Sequence, residues 1–210
     1  MTSQIRQRIF WSNASPAVCL SGSGLLIMAS DRLAHAITVA VALIWVYCLS
    51  TLAAHFGARF FPQRGRPALL VCLTSFVASV YLLLLWLISP LCVLQMFFVI
   101  SLVPIVCMIS GTLERLETSS PVEKLFNSFS EALILGTLIV IFAIIREPLG
   151  YLSLSIPGGA QGIILLFSFE GESFLPIRLV ASSSGALILL GYFLGLYHYY
   201  RAVKSPKEGV

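Results

Sequence analysis

The run Tyr81-Leu82-Leu83-Leu84-Leu85-Trp86-Leu87-Ile88 decides the fold, because it carries no charge, and Leu133 to Ile145 repeats the feature over a longer stretch. A membrane β-strand alternates lipid-facing apolar with lumen-facing polar residues. Continuous apolar runs therefore exclude a barrel and require helices that satisfy their own backbone groups. The rest of the chain agrees. Of 210 residues, 58% are apolar and 10% charged, against about 45–50% and about 25% in a soluble domain, and the mean hydropathy is +0.96. A water-facing surface cannot be assembled from this composition, which rules out a cytosolic enzyme, a secreted disulfide scaffold and a nucleic-acid binder. The solvent is the lipid bilayer. The cysteines, Cys19, Cys48, Cys72, Cys92 and Cys107, are five in number and all lie in apolar stretches, so a disulfide framework is not expected. No clean apolar h-region with a cleavage site follows Arg6 and Arg8, and the N-terminus reads as retained.

A crossing helix needs about 20 apolar residues for roughly 30 Å of hydrocarbon, and four stretches qualify directly: 33–56, 67–88, 91–113 and 177–200. Ala14 to Ser30 is short and carries Ser21-Gly22-Ser23-Gly24 at its middle, which reads as a broken or half-length helix. Glu131 to Ile145 is too short by its apolar part alone. Its start signal lies further back, where Ser120, Pro121 and Glu123 occupy the cap, first and third positions of a capping box, so this helix is expected to begin at Pro121. Six spans place both termini on one side. Ten of the thirteen Lys/Arg residues fall on the side of the termini, leaving Arg32, Arg146 and Arg178 opposite, and the positive-inside rule makes the termini cytoplasmic. The long outer segment Glu147 to Pro176 reads as a connector whose apolar stretch Gly162 to Phe169 rests at the lipid interface.

Splitting the six spans after the third gives two three-helix units, about 14–88 and about 91–200, within a single domain 1–210. An odd number of spans per unit inverts the second relative to the first, an arrangement that brings discontinuous helices to the midplane. Each unit opens with a weakened helix, at Ser21 to Gly24 in the first and at Pro104 with Cys107 to Gly111 in the second. The expected fold is thus an all-α integral membrane protein of six transmembrane helices, built as two inverted repeats with broken first helices.

Trp11-Ser12-Asn13 before the small-residue break, Cys107-Met108-Ile109-Ser110-Gly111-Thr112-Leu113-Glu114, Arg146-Glu147-Pro148-Leu149-Gly150 and Ser184-Gly185-Ala186 occur in an order and spacing that resembles the Rnf/Nqr membrane subunits. The RnfE/NqrD type is most similar, with the RnfA/NqrE type as its inverted sister. The resemblance implies a subunit of a complex in the bacterial inner membrane that couples electron transfer to sodium or proton movement. It also implies partners: a sister subunit of RnfA/NqrE type, and further subunits carrying flavin and iron–sulfur groups. In that family each sister supplies one cysteine from each broken helix, so that four thiolates hold a shared [2Fe–2S] cluster. Carried over by position, Cys107 matches the second-repeat ligand, while the first-repeat position falls on Ser23. Cys19, one helical turn before Ser23, is a possible substitute. Val106 stands where the family has a small polar residue, so the chain reads as a diverged relative.

Read without the resemblance, Cys107 is a small apolar filler. Ionisable residues inside membrane helices single out Glu131, Arg146 and Glu147. Arg146 is expected to bond last-turn carbonyls and Glu147 a loop, or both to serve an ion path, with Pro148 ending the helix. His35 and His55 stand near the two ends of one span, as interfacial groups or members of a proton relay. No nucleophile triad, HExxH, P-loop or dinucleotide fingerprint occurs. Besides the redox subunit, a small secondary transporter and a structural subunit without a cofactor are the remaining readings.

Overall fold

The computed structural model describes residues 16–57, 66–109, 121–159, 162–168 and 178–204. Seven helices and one hairpin are seen among them: α1 (Pro16–Ala29), α2 (Leu33–Gly57), α3 (Arg66–Ile88), α4 (Pro90–Ile109), α5 (Pro121–Tyr151), β1 (Ser153–Pro157), β2 (Ile163–Ser168), α6 (Arg178–Ala181) and α7 (Ser183–Lys204). Four of the helices are long and apolar enough to cross a membrane: Leu33–Gly57, Ala68–Ile88, Pro90–Ile109 and Val122–Tyr151.

Helix α2 is the centre. It packs on α3, α4 and α5, with β1 against its first turns, and its inward residues Val39, Leu43, Val46 and Tyr47 lie in the core with Val77, Ile100, Val103 and Ile139. Close approach to α5 depends on Gly136, where an added Cβ would stand 3.1 Å from that of Ala40. Lower down, the Thr51 and Ser128 hydroxyls bond across the same interface at 2.7 Å. Phe76, Leu87, Phe98 and Ile141 are exposed on the outer faces of α3, α4 and α5, where hydrocarbon rather than water is the expected neighbour.

Helix α5 is described from Pro121, where the capping signal places its start; Ser120, the cap itself, lies outside the described residues. Other expectations differ. Pro148 does not end α5, which continues to Tyr151. Proline removes one donor to the carbonyl four residues back, but this close to the end only that bond is lost, and the Leu152 amide closes the last turn on the Pro148 carbonyl at 3.1 Å. Helix α1, described over the 14 residues Pro16–Ala29, runs unbroken through Ser21 to Gly24. In an apolar setting an unsatisfied backbone group costs several kcal/mol, against about 1 kcal/mol for glycine in a helix, so the ladder persists. Likewise α4 continues through Pro104 to Ile109, and Ser110 to Glu114 lie outside the described residues. The expected crossing at 177–200 is divided at Ser182 into α6 and α7, the latter a 22-residue helix from Ser183 to Lys204.

The connector between α5 and α6 contains an antiparallel hairpin, so the described chain is not all-α. Pro157 pairs with Ile163 and Ser153 with Ser168, with a bulge at Leu154/Ser155. Its tip uses Gly159 and Gly162, both at positive φ.

Candidate functional site

The last turns of α5 hold the densest polar assembly among the described residues. Helix ends leave free carbonyls at the C-terminus and free amides at the N-terminus, and in a bilayer they need protein partners. Arg146 and Glu147 supply both kinds. Arg146, 2% exposed, donates from Nη1 to the Ile27 carbonyl (2.8 Å) and Ser30 Oγ (3.0 Å) at the end of α1. From Nε it donates to the Val180 carbonyl (3.0 Å), and from Nη2 to the carbonyls of Ala181 (2.8 Å) and Ser182 (3.3 Å) at the end of α6. Its Nη2 is also 3.9 Å from Asp31 Oδ1. One guanidinium therefore closes two helix C-termini, where a cation also suits the helix dipoles.

Glu147 acts at the opposite polarity. Its Oε2 accepts the Leu33 amide at 2.7 Å, at the first residue of α2, and Ser155 Oγ of β1 accepts the next amide, Ala34, at 3.4 Å. The tertiary fold thus caps α2. The expectation for Arg146 is met in kind but not in place, since the carbonyls belong to α1 and α6 and not to its own helix. Glu147 binds a helix start rather than a loop. Close packing of α6 on α5 requires Gly150, where a Cβ would meet the Ala181 amide at 3.0 Å, and the turn into α7 requires Gly185, where a Cβ would overlap the Leu179 carbonyl.

Beside this assembly lies a cavity of about 810 Å³ between the ends of α1, α2, α4 and α6 and the start of β2. Its lining is mixed, with the polar side chains of Asp31, Arg32, His35, Gln95, Ser182 and Ser183 beside the apolar Ile27, Leu91, Met96 and Val99. Asp31 accepts the Tyr151 hydroxyl at 2.9 Å, and the Arg32 guanidinium lies 5.3 Å from the centre of the Tyr151 ring. His35 Nε2 is 3.1 Å from Gln95 Oε1.

The sequence-derived metal residues lie elsewhere. Cys107 is buried in α4, within electrostatic reach of Glu131 on α5. Ser23 is half-buried on α1, the helix packed against α4. The side chain of Cys19 lies outside the described ones. The ends of α1 and the beginning of α4 line one cavity, so the two helices run antiparallel. Among the described residues no group of three or more His, Cys, Asp or Glu side chains is placed to hold a metal.

Sequence reasoning did not single out Asp31, Gln95, Ser155 or Tyr151. A primary amide inside the apolar run from Leu91 to Phe98 was the available signal for Gln95. The strict alternation Leu152-Ser153-Leu154-Ser155-Ile156 was the signal for the strand that carries Ser155.

Residues 1–194 match the family model described as Rnf-Nqr subunit, membrane protein. No curated protein matches the chain.

Proposed function

The chain belongs to the Rnf-Nqr subunit family of membrane proteins, and from that premise we propose that it is a membrane-embedded subunit of an ion-translocating electron transport complex in a bacterial inner membrane. The observation that carries this reading is the extent of the match, which takes in every described element through most of α7. Six spans in two inverted repeats, with cytoplasmic termini, remain the arrangement we favour on the Lys/Arg distribution. Partners of this chain, a sister subunit of RnfA/NqrE type among them, would carry flavin and iron–sulfur groups. Its own part is to relay electrons or to scaffold the relay, with sodium or a proton as the coupled ion.

At the two positions carried over from the family, the donors are a thiol and a hydroxyl rather than two thiols, with Cys19 on the same helix as Ser23 the possible substitute. Cys107 offers one thiol, and the neighbouring helix offers the Ser23 hydroxyl, a harder and far more basic donor than a thiolate. We therefore favour the scaffold role over the relay. We expect the native complex to hold less than one cluster per sister pair, and Ser23→Cys to raise the iron and acid-labile sulfide content. A stoichiometric wild-type cluster that survives Cys107→Ala would remove Cys107 from consideration, while one lost with Cys19→Ala would make Cys19 the ligand.

The functional reading is tested by extracting the tagged chain from its native membranes in mild detergent. Stable co-purification with other membrane redox subunits is expected. An isolated homodimer stabilised by a solute would favour a secondary transporter instead.

A further inference from the structure

Glu147 is wholly buried, yet only its Oε2 has a partner, the Leu33 amide. Its Oε1 has none. Arg146, its neighbour in sequence, directs its N–H groups to carbonyls and to Ser30, so it does not neutralise Glu147. Two residues along α2 from Leu33 stands His35, 6% exposed, whose Nδ1 likewise lacks a partner. Glu147 lies within electrostatic reach of the ring. With Nε2 donating to Gln95 Oε1 at 3.1 Å, the neutral ring has Nδ1 as its acceptor. With neither group protonated at these atoms, two bare acceptors and one uncompensated negative charge would be enclosed, which a buried site does not tolerate.

We propose that Glu147 and His35 form a proton-binding site, with one proton held between Glu147 Oε1 and His35 Nδ1, directly or through one water. The carboxyl O–H donates to Nδ1, or the imidazolium Nδ1–H donates to the carboxylate. In either form the pair is neutral overall and both orphaned atoms gain a partner. The other ionisable groups facing the pair are Asp31 and Arg32 from the α1–α2 turn, and Arg146 and Tyr151 from α5. Tyr81 of α3 bonds the Thr38 carbonyl one turn below His35. Gln95 of α4 and Ser155 of β1 do not titrate. Of these groups Asp31 is 37% exposed and lines the cavity together with His35, so the proton exchanges with water by that route. The site does not depend on which complex the chain joins.

The test is the thermal stability of the full-length chain in detergent between pH 5 and 9. Free histidine and glutamate titrate near ~6.5 and ~4.3, so above about pH 6.5 the unfolded pair holds no proton while the folded pair keeps one. If the pair holds its proton in the fold, the stabilisation is present below pH ~6.5 and lost as the pH rises far enough for the folded pair to release it. The wild-type melting temperature is expected to fall by several degrees across this range. Glu147→Gln is expected to give a flatter profile, because the amide still accepts from Leu33 and donates to Nδ1 with no proton to lose. His35→Asn should flatten it as well. Parallel profiles for wild type and a folded variant would overturn the proposal. If neither variant folds, nitrogen NMR of labelled His35 in the wild type decides. A protonated or strongly hydrogen-bonded Nδ1 at pH 7 supports the site, and a neutral, unbonded Nδ1 contradicts it.

Discussion

Arg146 binds the ends of two helices through one side chain, and a lysine cannot replace it. An ammonium has three donors on a flexible stem, whereas the planar guanidinium reaches Ile27, Val180 and Ala181 at once. Each buried carbonyl left bare costs about 1–3 kcal/mol, so Arg146→Lys should lower the unfolding free energy in detergent by roughly 2–4 kcal/mol. A loss below about 0.5 kcal/mol, the range of an ordinary surface change, would show that the carbonyls find other partners. That Arg146 and Glu147 matter was legible in the sequence, since charges are costly inside an apolar helix. Their partners were not. Leu33 and Ile27 lie 114 and 119 residues away from them, and backbone groups have no sequence signature.

At the scale of elements, local signals were legible where they were chemical. Helix α5 is present where the Pro121 and Glu123 signals place it, and the spans of α2 and α3 followed from counting apolar residues. Weak-helix residues misled, because Gly22, Gly24, Pro104 and Pro148 are ordinary helix breakers in water but not where the backbone has no alternative partner. The hairpin was missed for a different reason: its alternating first strand sits within a stretch rich in Gly and Pro that reads as a connector. The continuity of α1 can be tested directly. Open space surrounds Gly22 and Gly24, so Gly22→Ala and Gly24→Ala should each stabilise the isolated chain by about 0.5–1 kcal/mol, measured by denaturant or thermal unfolding. A helix broken there would be destabilised. At Gly136, by contrast, Leu should push α2 and α5 apart and cost about 1–3 kcal/mol or more.

Over the whole molecule, a core around α2 is enclosed by helices whose outer faces stay apolar, and the polar assembly of Arg146, Glu147 and Asp31 gathers at one end. In the orientation we propose from the Lys/Arg distribution, that end is the outer one. A reporter active only in the cytoplasm should therefore work when fused after Val210 and fail when inserted at Gly158–Gly159; activity of the loop fusion alone would reverse the orientation. What the chain does within its family is tested most directly in inverted membrane vesicles from its own host, by measuring ion uptake driven by electron transfer with the chain deleted and with it restored. The account predicts that uptake is lost on deletion and returns with the wild-type chain. Uptake unchanged by the deletion would contradict it.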